Sequence, residues 1–124
     1  MQALEAFRLH GDLIGRQGSR HDLATPVLVV DPDVLARNIA RMAALAAAAG
    51  VALRPHAKTH KSVDIARLQV AAGAVGLCCA KLGEAEALAE SGIDGLHITS
   101  PVVSPRAIGR LMALNASSAR LSVV

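Results

Sequence analysis

From Thr25 onward, short runs of Val, Leu, Ile and Cys alternate with longer stretches rich in Ala and Leu, and Gly or Pro stands near most of the boundaries. The short runs are apolar at almost every position, without the every-second-residue polarity of a strand with one wet face. Such strands need cover on both sides, and the helical stretches between them supply it, so the pattern predicts an α/β fold with a parallel sheet under helices.

Taken in order, residues 26–30 read as a first strand. Asp31 follows as a helix N-cap with Pro32 at the first helical position, and the helix runs to about Ala49 and stops at Gly50. Leu35, Ile39, Met42 and Leu45 are its expected buried stripe, with Arg37 and Arg41 facing elsewhere. Residues 51–54 form a second strand and 62–72 a helix with Ile65, Leu68 and Val70 as apolar contacts, closed by Gly73. Residues 74–80 are the third strand and 81–83 a loop, and Glu84, Glu86 and Glu90 decorate the helix that ends at Ser91-Gly92. A fourth strand at 96–99, a helix from Ser104-Pro105 to about Leu114 and the start of a fifth strand at 121–124 complete the series.

Four βα repeats amount to half of an eight-unit barrel, whose closed form typically takes about 250 residues. The chain is therefore expected to be the N-terminal fragment of a longer enzyme or a truncated product, with exposed strand edges. Residues 25–124 are the partial barrel domain, and residues 1–24 are an arm. Leu4, Phe7 and Arg8 suit a short amphipathic helix there, broken by Gly11, Gly15 and Gly18.

Phe7 is the single aromatic residue, so the core must be aliphatic. The net charge is +3, but the basic residues are scattered and no aromatics interleave with them, which argues against nucleic-acid binding. The longest apolar run, residues 42–53, is interrupted by Gly50 and falls short of the roughly 18 to 20 residues of a membrane span. Glu5 and Asp12 are out of place in a secretory leader. A soluble cytoplasmic protein is expected. Cys78 and Cys79 are adjacent, a poor disulfide framework, and read as small buried hydrophobes in a reducing compartment.

Chemistry concentrates between residues 53 and 61, where Arg54, His56, Lys58, His60 and Lys61 follow the strand end that Pro55 marks. Barrel enzymes keep their active residues at such strand ends. The chain has ten arginines and three lysines, Lys58, Lys61 and Lys81, so lysine is used sparingly. Unlike arginine, a lysine crowded by other cations can serve as a neutral amine nucleophile. The residues alone leave two readings open: a nucleophilic Lys58, or solvated loop charges with incidental histidines. His56 and His60, four residues apart, would chelate a metal on a helix, but Pro55 argues for a loop. Glu84 and Glu86 either favour the positive end of their helix or take part in the site. Gly76, Gly83 and Gly92 are spaced as turn and strand-end glycines and form no phosphate-loop fingerprint.

Five segments, residues 25–31, Arg37-Asn38, residues 54–61, Gly83-Glu84-Ala85-Glu86 and residues 99–103, resemble in order the N-terminal half of D-threonine aldolases and the related D-serine dehydratases. These belong to the alanine-racemase-like (fold-type III) class of pyridoxal-phosphate enzymes. The resemblance implies part of a pyridoxal-phosphate-binding (β/α)8 barrel of the alanine racemase N-terminal type, with Lys58 holding the cofactor as a Schiff base and Arg54, His56 and His60 beside it. It also implies a homodimer that cleaves D-3-hydroxy amino acids to glycine and an aldehyde. A divalent metal (Mn, Zn or Mg) would take its ligands from beyond Val124, where the phosphate-binding loops also lie. Residues 99–103 incline the reading to the aldolase branch. The alternatives are a D-serine dehydratase-like ammonia-lyase, and a non-catalytic pyridoxal-phosphate-binding or inert barrel fragment. Alone, the 124-residue chain is expected to be inactive.

Overall fold

The computed structural model describes residues 10–117 and 120–124 and divides the chain into two compact units, Met1–Pro32 and Asp33–Val124. In the first, 3-10 turns at Gly11–Leu13 and Ser19–Asp22 are joined through loops, and Arg16 and Asp22 pair across them. The helix expected around Leu4, Phe7 and Arg8 lies outside the described residues. Residues 26–30 are not the expected strand. They run without a strand partner among the described residues, with Leu28 95% exposed. An apolar run becomes a strand only when a neighbour takes up its N–H and C=O groups, and local sequence cannot supply that neighbour.

The second unit carries helices α1 (Pro32–Ala48), α2 (Val63–Ala71), α3 (Leu82–Glu90) and α4 (Pro105–Ser117), with strands β1 (Cys78–Cys79), β2 (Leu96–Ile98) and β3 (Leu121–Val123). The strands form one parallel sheet in the order β1-β2-β3, with Cys78 opposite His97 and His97 opposite Ser122. Parallel pairing requires a crossover between strands, and α3 and α4 provide the two that join them. Each strand is shorter than its apolar run. The expected strand at 51–54 pairs slightly later. Val75 N–H donates to the Leu53 carbonyl at 2.9 Å, Cys78 N–H donates to the Pro55 carbonyl at 2.7 Å, and His56 bridges Cys78. Pro55 has no N–H to complete a regular ladder, so the pairing stays local.

Alternation along the strands sorts the side chains. Leu77, Cys79, Leu96 and Ile98 are fully buried on the helix-covered face, joined there by Ala66, Leu82, Ala85, Leu88, Ile93 and Leu114. Ala66 and Ala85 have no side chain beyond Cβ, which lets α2 and α3 lie close to the sheet. The opposite face is not apolar throughout as the runs suggest, since Cys78, His97 and Ser122 form a polar row across it.

The helix faces also differ from expectation. On α1, Leu35, Ile39, Ala43 and Ala46 are half-buried while Met42 and Leu45 are exposed. The inward stripe is centred on small residues that hydrophobicity alone ranks below Met and Leu. On α2 the inward positions are Val63, Ile65, Ala66 and Gln69, followed by the capping Ala72, whereas Leu68 and Val70 are exposed. The helix after β1 begins at Leu82, inside the expected loop, and the last helix reaches Ser117. No helix among the described residues is long and apolar enough to cross a membrane.

Two glycines set how β1 and β2 enter the sheet. Gly76 and Gly95 have φ of 145° and 70°, and a Cβ built on Gly76 would lie 1.8 Å from the Gly95 carbonyl oxygen. No other residue permits this approach.

Candidate functional site

The lysine segment is built around a 3-10 turn, Ala57–Thr59, that follows the extended stretch 53–56. Ala57 is buried and fixes the turn to the core. His56 caps it, accepting the Lys58 N–H on Nδ1 at 3.2 Å. The His60 and Lys61 N–H groups both donate to the Ala57 carbonyl, at 3.2 and 2.8 Å. Lys61 takes the left-handed conformation, φ 49°, which redirects the chain into α2. His60 Nδ1 accepts the Ser62 N–H at 3.0 Å, and Ser62 Oγ accepts the Ile65 N–H at 3.3 Å as the α2 cap. Lys58 is exposed on a turn whose backbone is hydrogen-bonded at each end.

The turn is tied to the end of the central strand, β2. His56 Nε2 lies 3.2 Å from Thr99 Oγ1, and Thr99 Oγ1 lies 3.1 Å from the Cys79 carbonyl. The tautomer follows from these partners. Since Nδ1 receives the Lys58 N–H it bears no proton, so Nε2–H donates to Thr99, whose hydroxyl proton goes to the Cys79 carbonyl. The Thr99 N–H also donates to that carbonyl, at 2.8 Å. Lys58, His56 and Thr99 therefore meet at the C-terminal edge of the parallel sheet, where parallel α/β folds bind ligands.

Leu53 and Pro55 line a small cavity of about 130 Å³ with Ile39, Met42, Ala43, Gln69 and Ala72, on the helix side. Alternation along 53–56 turns Arg54 and His56 away from the helices. They share that direction with the polar row of Cys78, His97 and Ser122, in which His97 Nδ1 lies 2.8 Å from Ser122 Oγ. His60 does not join them, because its ring supports the start of α2 and its Nε2 is buried without a hydrogen-bond partner among the described residues.

The three lysines are placed differently. Lys61 Nζ stands 3.8 Å from Glu84 Oε1, and Lys81 is the N-cap residue of α3. Neither Lys58 nor Lys81 enters an ion pair among the described residues. Glu84 Oε2 also accepts the Ala80 N–H at 2.7 Å, holding the loop after β1. Glu86 forms a two-point ion pair with Arg110 of α4, which raises the pKa of the Arg110 guanidinium. Glu86 thus joins two helices, while Glu84 lies beside the lysine turn.

Both cysteines are free. Burial pushes the Cys79 thiol up to about 11, with Glu84 and the adjacent Cys78 adding to the effect, so it is held as a neutral, unreactive thiol. Among the described residues no three His, Cys, Asp or Glu side chains converge to hold a metal ion. His56 and His60 sit on a turn and not on a helix, and both Nδ1 atoms are taken by backbone N–H groups. Thr99 is the site neighbour to which sequence reasoning gives no role, while Glu84, left open between helix end and site, lies beside the lysine turn. A hydroxyl at a strand end and a glutamate in a first helical turn are the faint signals they leave.

The family described as alanine racemase, N-terminal domain, matches residues 30–119. A 3-hydroxy-D-aspartate aldolase of Paracoccus denitrificans is 44% identical over 103 residues, which are 82% of this chain and 27% of that protein. The crystal structure of a D-threonine aldolase from Filomicrobium marinum superposes with a TM-score of 0.79 at 42% identity, covering 82% of this chain and 27% of that one. A D-threo-3-hydroxyaspartate dehydratase from Delftia sp. HT23 gives a TM-score of 0.74 at 39% identity, over 82% of this chain and 26% of the dehydratase. The chain thus spans about a quarter of the length of these proteins.

Proposed function

The chain belongs to the alanine racemase N-terminal domain family, and from that membership we propose that Lys58 holds pyridoxal phosphate in a lyase that cleaves D-3-hydroxy amino acids to glycine and an aldehyde. The observation that carries the assignment is the turn that sets Lys58, exposed and without an ion pair among the described residues, beside His56 and Thr99 at the C-terminal sheet edge, while Lys61 of the same segment is engaged with Glu84. When bound, pyridoxal phosphate supplies an electron sink for the charge that develops at Cα.

The residues of this chain bind and orient. Lys58 holds the cofactor through Nζ and gives it up when the substrate amine arrives. His56 keeps the turn in place with both ring nitrogens engaged, so it positions Lys58 and is not free to shuttle protons itself. Arg54, exposed and on the same side of the stretch as His56, adds positive charge for the anionic cofactor and the substrate carboxylate. His60 supports the turn from its α2 side. The implied divalent ion finds no ligand set among the described residues, so no step is assigned to it.

The aldolase reading draws on the Paracoccus and Filomicrobium proteins, and the likeness to the Delftia dehydratase favours a second reading in which the 3-hydroxyl leaves and ammonia is released. Incubating the full-length protein and pyridoxal phosphate with D-threonine and with D-threo-3-hydroxyaspartate separates them. Glycine with an aldehyde supports the aldolase. Ammonia and a keto acid without glycine would replace that reading with the dehydratase.

A further inference from the structure

We propose that Thr99, 43 residues away from His56 in sequence, is a positioning residue for Lys58 and acts through the His56 ring. The proposal rests on the reading that Lys58 holds the cofactor.

Three hydrogen bonds run in one direction. The Lys58 N–H donates to His56 Nδ1 at 3.2 Å, His56 Nε2–H donates to Thr99 Oγ1 at 3.2 Å, and the Thr99 hydroxyl donates to the Cys79 carbonyl at 3.1 Å. Each member has the single role left to it by its neighbour. The carbonyl can only accept, so the hydroxyl proton points there and its oxygen is open to the imidazole N–H. With Nε2 carrying the proton, Nδ1 is the bare nitrogen that a backbone donor needs.

The path crosses the sheet edge from β2, past the end of β1, to the turn that bears Lys58. The bonds to the Ala57 carbonyl lie after Lys58 and fix its exit, while before it the Cys78 N–H holds the Pro55 carbonyl and Ala57 is buried in the core. The Lys58 N–H itself is held at the entrance by the His56 ring, and that ring takes its orientation from Thr99. Thr99 itself is set by its backbone bond to the Cys79 carbonyl, which stays when the hydroxyl is removed. A lysine that bonds covalently to a cofactor must present Nζ at one place, and a turn whose Lys58 N–H has lost its oriented acceptor spreads that position over several.

Thr99→Val keeps the branched shape and the backbone bond but leaves Nε2–H without an acceptor, whereas Thr99→Ser keeps the hydroxyl. Two readouts apply to the full chain: amide hydrogen exchange at Lys58, which needs no cofactor, and the rate of pyridoxyl labelling of Lys58 with pyridoxal phosphate and borohydride. Thr99→Val should speed the exchange and slow the labelling by about tenfold each, the factor corresponding to roughly 1.4 kcal/mol, near the upper end for one net hydrogen bond. Thr99→Ser should restore both to within about twofold. In a His56→Ala background, Thr99→Val should add nothing, because its effect passes through the ring.

Unchanged Lys58 exchange and labelling in Thr99→Val, or effects that add to those of His56→Ala, would overturn the proposal. Pyridoxyl label on Lys61 in the unsubstituted protein would instead sink the cofactor assignment, while the exchange measurement still decides the role of Thr99. Thr99→Ala carries the same comparison if far-UV circular dichroism shows that valine perturbs the fold.

Discussion

Lys61 and Glu84 meet at 3.8 Å across the gap between the lysine turn and the first turn of α3, and the second oxygen of the same carboxylate holds the Ala80 N–H at 2.7 Å. The two contacts are unequal. The ion pair is wet on the lysine side, where 70% of the side chain is exposed, while the glutamate is 18% exposed and satisfies a backbone donor.

Replacing Glu84 by Ala leaves the Ala80 N–H without its partner and should cost about 1–3 kcal/mol of stability, whereas Lys61→Ala should cost no more than about 1 kcal/mol. Urea unfolding of the two variants is the check. Equal losses would show that the ion pair, not the backbone bond, is what Glu84 contributes.

Borohydride reduction with pyridoxal phosphate followed by peptide mapping should place the pyridoxyl group on Lys58. Lys58→Ala and Lys58→Arg should both lose it, since the guanidinium retains its proton and cannot supply a neutral amine. Lys61→Ala and Lys81→Ala should keep it. Label retained in Lys58→Ala would reassign the cofactor lysine.

Cys79 should resist alkylation in the native state near pH 8, with Cys78 modified first, and both should react once urea exposes them. The same shift sets a pH dependence. The folded thiol ionises only at about 11, above the ordinary value that the unfolded chain has, so the folded state binds the extra proton between the two. Stability linked to Cys79 is thus complete below the unfolded value and falls as pH rises toward about 11, a loss that Cys79→Ala should remove. An unaltered alkaline limb in Cys79→Ala would contradict this.

Gly76→Ala should be severely destabilising, by roughly 3 kcal/mol or more, because its Cβ would overlap the Gly95 carbonyl and its φ disfavours any side chain. Gly83→Ala, at a helical position with nothing near the added carbon, should be neutral or stabilising by up to about 1 kcal/mol. Thermal melts of the pair would show a large difference, and equal melting temperatures would refute the close-approach argument.

Residues 1–124 expressed alone should self-associate and show no glycine release from D-threonine. Leu28, Val29, Val103, Met112 and Val124 are all more than half exposed, and such surface favours association. Size exclusion with a glycine assay decides it; turnover by a monodisperse monomer would mean that the segment is a sufficient enzyme.

Much of this was already present in the order of residues. Helix α1 begins at Pro32 after Asp31 and ends before Gly50, because helix ends depend on caps and on bonds four residues apart, which a local reading captures. The parallel α/β class follows from apolar runs alternating with helical ones, and Lys58 is conspicuous through the scarcity of lysine and the segment around it. Tertiary structure decided what depends on distant partners. Residues 26–30 are as apolar as a strand yet lack one to pair with among the described residues, and Ala43 and Ala46 of α1 are more buried than Met42 and Leu45. Nothing near His56 in the sequence indicates that Thr99 receives its ring N–H, or that Lys61 and not Lys58 is engaged by Glu84. Helical bonds close within one turn of chain, whereas sheet pairing and cross-sheet hydrogen bonds join residues that only the folded chain brings within 3 to 4 Å.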